Sequence, residues 1–188
     1  DIALLEKTGG RLHVAHISSK NSVDLVRQAK SRGLSVTCEV APHHFTLTDE
    51  AVRGYDTNTK MSPPLRTIDD VKAIKEGLQD GTIDIIATDH APHDIADKQV
   101  EYQNACFGIV GLETALPLSL KLVDEKILSM GDVIKKLTST PADIFNLKAG
   151  SLSLGNEADI LIFNPNLEYS IDISKFHSKS KNSPFDGW

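Results

Sequence analysis

Three short apolar runs alternate with amphipathic segments over the first half of the chain. Residues 12–17, 34–40 and 83–87 are rich in aliphatic and β-branched side chains, a composition typical of buried strands. Residues 23–29 and 71–78 instead repeat apolar side chains every three to four positions, which predicts helices with one buried face. A strand, a connecting helix and another strand form a βαβ unit, in which the two strands run parallel.

The order of these elements is that of a (β/α) barrel, in which each strand is followed by a helix. The chain has 188 residues, whereas a closed barrel of eight strands takes about 250. Three parallel strands with their helices cannot close, and they would leave an apolar edge exposed. We therefore predict an α/β fold that is part of a (β/α)8 TIM-type barrel, and we expect the chain to be a piece of a longer polypeptide.

Composition and charge narrow the class of partner. Hydrophobic residues make up 40% and charged residues 24% of the chain, which is ordinary for a globular domain with a core. A net charge of -6 does not favour nucleic acid or an anionic membrane surface. No apolar run reaches the roughly 20 residues that span a bilayer. The two cysteines, Cys38 and Cys106, do not form a disulfide framework, so we expect a reducing, cytoplasmic location.

Titratable side chains follow directly after the third apolar run. Asp89, His90 and His93 come within a few residues of the strand predicted at 83–87. The carboxyl ends of barrel strands are where α/β enzymes place their chemistry, so this group is a candidate active site. In the alternative interpretation, Asp89 caps a turn and both histidines are solvated loop residues.

Histidines also stand at the ends of the first two apolar runs. His16 lies near the end of an otherwise apolar strand, where it is either a core histidine bonded to a backbone carbonyl or a zinc ligand. A lone histidine of this kind is more often the former. His43 and His44 are adjacent, and neighbours in an extended chain point in opposite directions. We interpret these two as structural or as supports for a ligand.

Four motifs together resemble those of dihydroorotases in the cyclic-amidohydrolase group. They are H-V-A-H-I-S-S at 13–19, P-P-L-R at 63–66, T-D-H-A-P-H at 88–93 and F-G-I-V-G-L-E-T at 107–114. The resemblance covers nearly all of the chain.

The resemblance implies a division of the chain into two parts. Residues 1–148 are expected to form the C-terminal part of the metal-dependent amidohydrolase barrel, and residues 149–188 a partial β-domain and a tail. In the second part, the turn-rich segment from Gly150 leads into a strand expected at 159–163. The family's other metal ligands are expected upstream of Asp1, so we expect this piece to be inactive alone.

The same resemblance implies one or two divalent metal ions, with zinc as the expected cofactor. His16 and Asp89 are the expected metal ligands, and His13 is expected to be structural. Asp89 is also the expected catalytic residue, which takes a proton from the metal-activated water and passes it to the ring nitrogen that leaves. His90 is expected to orient Asp89.

Substrate contacts are expected from Ser62 and His93 and from the backbone of Phe107 and Gly108. Ser62 stands where the family usually has asparagine, so the position keeps one hydroxyl donor and loses the amide group. Cys106 stands where the family usually has proline, which makes the loop less rigid.

The reaction implied by the resemblance is the reversible cyclisation of N-carbamoyl-L-aspartate to L-dihydroorotate and water, in de novo pyrimidine biosynthesis. The partner is then a small-molecule substrate, and neither nucleic acid nor a membrane. Alternatives are an allantoinase, a dihydropyrimidinase, or a catalytically silent homologue that serves as a structural partner of aspartate carbamoyltransferase. An α/β domain with incidental histidines is a further alternative. A homodimer or an association with aspartate carbamoyltransferase is the expected assembly.

Overall fold

The computed structural model describes all of residues 1–188 and contains eight α-helices and three β-strands. The strands are β1 (Leu12–Val14), β2 (Val36–Val40) and β3 (Ile85–Ile86). The helices are α1 (Ile2–Thr8), α2 (Lys20–Ser31), α3 (Pro42–Thr46), α4 (Ile68–Gln79), α5 (Ile95–Lys98), α6 (Leu112–Asp124), α7 (Met130–Leu137) and α8 (Ser139–Phe145). Short 3₁₀ turns cover Asp49–Gly54, Thr57–Thr59 and Ile173–Lys175. None of the helices is both long enough and apolar enough to cross a membrane.

The three strands form one parallel sheet in the order β1-β2-β3. Leu12 pairs with Val36 and Glu39 pairs with Ile85. Helices α2 and α4 cross from one strand to the next, and parallel strands require such crossovers. The sheet therefore has the predicted strand–helix rhythm, and all three strands point their carboxyl ends to the same edge.

The main core lies between this sheet and its crossover helices. Sixteen buried residues form one cluster, which includes Val23 and Val26 of α2 and Ile74 of α4. Helices α2 and α4 pack closely at Gly77 of α4, because a Cβ there would lie 2.9 Å from the Val23 side chain. Apolar side chains at helical spacing thus bury one face of each helix against the strands, as their periodicity predicts.

The strands are shorter than the apolar runs that predict them. After Val14 the chain does not continue as a strand, and His16 adopts a positive φ of 50°. Pro42 and the two histidines after it form α3, so the extended conformation assumed for His43 and His44 is wrong. Proline suits the first turn of a helix because its missing N–H has no partner to lose there.

The strand expected at 159–163 is absent. Ile160, Leu161 and Ile162 are largely exposed, the last to 92%, and residues 157–163 make no backbone hydrogen bond. A strand needs a neighbour for its N–H and C=O groups, and no segment of this chain pairs with it. The last residues behave differently: Phe185 is fully buried in a second cluster with Met61, next to the loop that carries Ser62.

Candidate functional site

Three polar side chains converge where β1, β2 and β3 end. His16 lies two residues beyond β1, Glu39 is in β2, and Asp89 lies three residues beyond β3. Nε2 of His16 is 3.5 Å from Oδ1 of Asp89, and Nδ1 of His16 is 2.9 Å from Oε1 of Glu39. We call His16, Glu39 and Asp89 the strand-end cluster. It brings together the two residues that the sequence predicts as metal ligands.

The two predicted ligands, His16 and Asp89, have unusual backbone conformations. His16 has φ 50° and Asp89 has φ 49°, which is the left-handed region that residues other than glycine rarely adopt. Each costs about 1–2 kcal/mol in an L-residue. The sheet holds the first of them, because the N–H of Ile17 donates to the carbonyl of Glu39 over 3.0 Å. Such conformations concentrate at functional sites.

Glu39 is the member of the cluster that sequence reasoning missed. Glu39 is only 8% exposed, and its Oε2 lies 3.1 Å from Nε2 of His13. Nδ1 of His13 in turn lies 2.8 Å from the hydroxyl of Thr37, which gives His13 the structural role expected of it. The signal in the sequence is a carboxylate within an apolar strand, where an ionised group needs partners.

The partners of His16 favour a metal ligand over a core histidine. A core histidine would bond to a backbone carbonyl, but His16 faces a carboxylate on each side, Glu39 and Asp89. The contact to Glu39 is short without being an aligned hydrogen bond, so Nδ1 keeps no conventional partner. Glu39 thus lies behind the ring, and Nε2 faces Asp89. A carboxylate behind a histidine is the usual support of a metal-binding imidazole.

The same surroundings raise the pKa of the Asp89 carboxyl. Burial is the largest cause, because a less hydrated site disfavours the charged form, and the nearby carboxylate of Glu39 acts in the same direction. His16 lowers this pKa and offsets part of the effect. Asp89 is therefore easier to protonate than an ordinary aspartate, which suits a group that accepts and then returns a proton.

The spacing of donors fits a shared metal ion. Two ligands about 2.0–2.2 Å from a tetrahedral metal lie about 3.4 Å apart, and Nε2 of His16 lies 3.5 Å from Oδ1 of Asp89. These two atoms do not form a hydrogen bond with each other. Zinc sites take three or four protein ligands, so the two residues fit part of such a site.

A second group of predicted residues meets on the loops after β3. The Nε2–H of His93 donates to the carbonyl of Phe107 over 2.8 Å. Gly108 has φ 101°, and a Cβ there would lie 2.6 Å from the Cβ of Ala91, so no other residue fits. The Gly108 N–H donates to the carbonyl of Lys60 over 2.8 Å. We call His93, Phe107 and Gly108 the rim.

Ser62 lies on the loop that this last hydrogen bond ties to the rim. It is exposed, and its peptide bond to Pro63 is cis. The carbonyl of Pro63 accepts a hydrogen bond from Nε2 of His44, at 2.9 Å. The structure therefore brings His93, Phe107 and Gly108 into contact, and it places Ser62 on a loop that is joined to them through the backbone.

Asn182 braces the rim from the far end of the chain. Its Nδ2 donates to the carbonyls of Ala91 and Gly108, at 2.9 and 3.2 Å, and its Oδ1 accepts from the N–H of His93 at 3.3 Å. The residue is 6% exposed. Nothing local in the polar C-terminal tail signals this role, because the contact depends on how the tail returns to the loops.

The profile of the amidohydrolase family matches residues 1–187 of this sequence. The chain belongs to the amidohydrolase family.

Individual amidohydrolases and related structures agree with that assignment. A protein named dihydroorotase from Geobacter metallireducens is 55% identical over 188 residues, which are 100% of this chain and 44% of that protein. The structure of an L-hydantoinase (dihydropyrimidinase) from Arthrobacter aurescens superposes with a TM-score of 0.92 at 33% identity, over 99% of this chain and 43% of that one. The inactive dihydroorotase-like domain of a Chaetomium thermophilum CAD-like multifunctional protein gives 0.61 at 28% identity, over 78% of this chain and 40% of that one.

The comparisons confirm the predicted fold. The chain has the structure of part of an amidohydrolase barrel, and it spans less than half the length of these relatives. The predicted resemblance to dihydroorotases is confirmed as well, since the curated relatives with that name match the entire chain.

Three further histidines of this amidohydrolase lie outside the strand-end cluster and the rim. Nδ1 of His90 accepts the N–H of Gly111 at 3.0 Å, at the start of α6, and the orientation of Asp89 by His90 stays a prediction. His43 and His44 are both buried in α3. Burial lowers the pKa of His43 well below its usual value and that of His44 to about 4, so both stay neutral near pH 7.

Proposed function

We propose that the full-length protein is a dihydroorotase, which interconverts L-dihydroorotate and N-carbamoyl-L-aspartate. The observation that carries the proposal is the strand-end cluster, found in a chain that is more than half identical to a protein named dihydroorotase. His16 and Asp89 stand at the donor spacing of a metal site, and a carboxylate supports the histidine. Hydrolysis of an amide bond by a metal-dependent enzyme requires such a set of residues.

The metal ion we propose is zinc, held in part by Nε2 of His16 and a carboxylate oxygen of Asp89. When bound, a divalent metal lowers the pKa of a water molecule and polarises the carbonyl of the scissile amide. Glu39 keeps the His16 ring in place through its contact with Nδ1. The ligands still needed come, in this proposal, from the part of the protein outside residues 1–188, so the piece alone is inactive.

Asp89 carries the proton through the reaction. In the ring-opening direction, its carboxylate accepts a proton from the attacking water as the C–O bond forms. The protonated carboxyl then donates that proton to the ring nitrogen as the C–N bond breaks, and the product is the carbamoyl acid. The raised pKa of this carboxyl favours the first transfer and lets the group hold the proton until the ring nitrogen accepts it.

The rim and the Ser62 loop hold the substrate in this proposal. The Gly108 N–H is already bonded to Lys60, which leaves the N–H of Phe107 as a backbone donor for the ring. His93 adds an imidazole beside it, held by the carbonyl of Phe107. Ser62 offers one hydroxyl. Because these groups bind the substrate and do not react, their loss affects substrate affinity first.

Turnover of competing cyclic amides tests the choice of substrate. We expect the full-length protein to hydrolyse dihydroorotate and to discriminate against allantoin, dihydrouracil and hydantoin at equal concentration. Metal-dependent hydrolysis of one of the latter three, with no turnover of dihydroorotate, would assign the protein to a sister amidohydrolase. The same assay on residues 1–188 alone should give no turnover.

A catalytically silent homologue is the second candidate, favoured by the similarity to an inactive dihydroorotase-like domain. Retention of both His16 and Asp89, with Glu39 behind the histidine, argues for an active site. The silent form predicts a full-length protein without turnover that associates with aspartate carbamoyltransferase. Size-exclusion chromatography with and without that enzyme tests this association and the homodimer together.

Two further predictions complete the proposal. We propose a cytoplasmic enzyme, and we propose that residues 149–188 join a small β-domain in the full-length protein. The second is supported by the apolar and exposed residues 160–162, which have the composition of a strand and lack a partner.

A further inference from the structure

Three metal-ligating side chains meet at the rim, apart from the strand-end cluster. One ring nitrogen of His93, one carboxylate oxygen of Asp97 and the Sγ of Cys106 all lie within 4.8 Å of one another. We propose that these residues bind a thiophilic divalent cation such as Zn²⁺, and that its binding takes His93 away from the substrate. We call His93, Asp97 and Cys106 the thiolate site.

The loop that carries this site is braced from several directions. The N–H of Cys106 donates to the carbonyl of Asp97 over 3.2 Å. The Lys98 ammonium donates to the carbonyls of Cys106 and Gly108, at 2.8 and 3.1 Å, and the Lys98 carbonyl accepts from the hydroxyl of Thr57 at 2.6 Å. Helix α5 and residues 106–108 are thus tied together before any metal arrives. A site that is already formed loses less entropy on binding.

The donor set points to a particular class of cation. A thiolate, an imidazole and a carboxylate together suit Zn²⁺ and similar borderline-soft ions, and they do not suit Mg²⁺ or Ca²⁺, which prefer oxygen. Three protein ligands leave one tetrahedral position for water. The hydrogen bond from Nε2 of His93 to the carbonyl of Phe107 leaves Nδ1 of the neutral ring with a lone pair. Metal-binding histidines divide their two nitrogens in the same way.

Cys106 is the only thiol of the chain that can serve. Cys38, the other cysteine, is fully buried, and its Sγ donates to the carbonyl of Thr82 over 3.3 Å. Burial raises the pKa of the Cys38 thiol to about 12, so it stays protonated. Cys106 is partly exposed, and binding would release the proton of its thiol to solvent. The two cysteines therefore form a matched pair for a test.

Metal binding itself is independent of the proposed function, whereas its effect on turnover rests on that function. A cation that engages His93 removes a substrate contact and places a positive charge at the rim. Excess zinc should therefore inhibit dihydroorotate turnover, at concentrations above those that fill the strand-end cluster. Metal binding at the thiolate site would make the activity of the enzyme depend on the concentration of free zinc.

Absorption spectra of the Co²⁺ form test the binding. Co²⁺ bound to a thiolate gives a ligand-to-metal charge-transfer band in the near ultraviolet, and the strand-end cluster contains no thiol that could produce it. We expect the full-length wild-type protein and Cys38→Ser to develop this band on titration with Co²⁺. Cys106→Ser should lack it, and Asp97→Asn should need at least about tenfold more Co²⁺. A band that persists in Cys106→Ser, or no band in the wild type at saturating Co²⁺, would overturn the proposal.

Zinc titration of activity tests the inhibition. We expect Cys106→Ser to tolerate at least about tenfold more Zn²⁺ than the wild type before turnover halves, with an unchanged rate in the absence of excess zinc. Equal sensitivity of the two proteins would contradict an inhibitory role. If the protein does not act on dihydroorotate at all, the charge-transfer band still reports the site, so the two proposals can fail separately.

Discussion

The strand-end cluster and the rim are close in sequence, at Asp89 and His93, but they are held in place by different means. His16, Glu39 and Asp89 come from the ends of three hydrogen-bonded parallel strands, with two strained backbone conformations among them. His93 and its neighbours lie on loops, and side-chain to backbone hydrogen bonds from Asn182 hold them together.

This difference has a consequence for chemistry. Metal ligation and proton transfer need positions accurate to a fraction of an ångström, and a sheet supplies them. Substrate recognition tolerates more movement, and loops can vary without disturbing the strands. We therefore expect changes in the strand-end cluster to affect metal binding and kcat, and changes in the rim to affect KM.

Replacing Asp89, the proposed proton carrier, should have the largest effect. Asp89→Asn keeps the size of the side chain but cannot accept and return a proton, so we expect kcat of the full-length protein to fall by at least about 10³-fold. Steady-state dihydroorotate hydrolysis measures this. Asp69→Asn, at an exposed position on α4, is the matched control and should be unchanged. A loss below about tenfold would remove Asp89 from the proposed role.

The next effect concerns the stability of the fold at acid pH, through His44 of α3. His44 follows β2 and donates to the carbonyl of Pro63 on the Ser62 loop. Its pKa is lowered from 6.5 to about 4 by burial, so the unfolded chain binds a proton more readily in that interval. The free energy of unfolding should fall as pH drops from about 6.5 to 4, by about 3 kcal/mol from this group.

Urea denaturation at pH 7 and pH 5 checks the His44 prediction. The midpoint should drop less between these pH values in His44→Gln, which keeps an N–H donor toward Pro63, than in the wild type. The exposed His177 is the matched control, and His177→Gln should behave like the wild type. An equal drop in His44→Gln and the wild type would show that His44 does not carry the acid sensitivity.

A change at Glu39 separates support of the proposed metal site from ligation, since Glu39 lies behind His16 and is not a proposed ligand. Glu39→Gln weakens the hold on His16, and we expect metal affinity to fall by about 10–100-fold. Equilibrium dialysis against Zn²⁺ measures the affinity. Turnover should recover when metal is added back, because Asp89 is intact. Failure of added metal to restore activity would mean that Glu39 acts in some other way.

The smallest effect is expected at the rim. Asn182→Ala removes hydrogen bonds to Ala91, His93 and Gly108, and we expect KM for dihydroorotate to rise about tenfold, or about 1.4 kcal/mol, with kcat nearly unchanged. Asn156→Ala, at an exposed position in the same tail, is the control. A fall in kcat without a change in KM would contradict the division between the two regions.

Local patterns in the sequence predict the helices and strands whose own apolar residues form the core. Helices α2 and α4 follow from apolar periodicity, and the three strands follow from runs of aliphatic and β-branched residues. His16 and Asp89 are visible because polar groups at the end of an apolar strand have few structural explanations. Their motifs then resemble those of one family.

Features that depend on distant segments escape such reasoning. Glu39 reads as one more strand residue until His13 and His16 are seen on either side of it. Asn182 is 74 residues from Gly108 in sequence, and only the path of the tail brings them together. The strand expected at 159–163 has the right composition, but pairing is a property of two segments, and no segment of this chain pairs with it.

Metal content and turnover of the full-length protein, measured together, test the central claim that the strand-end cluster is a metal centre for dihydroorotate hydrolysis. The protein would be stripped of metal, reconstituted with Zn²⁺ and compared with His16→Ala and Asp89→Asn. We predict that the wild type binds zinc and regains dihydroorotate turnover, and that both variants lose most of the turnover, with less zinc retained in His16→Ala. Full turnover in the stripped protein, or unchanged zinc binding and turnover in His16→Ala, would contradict the account.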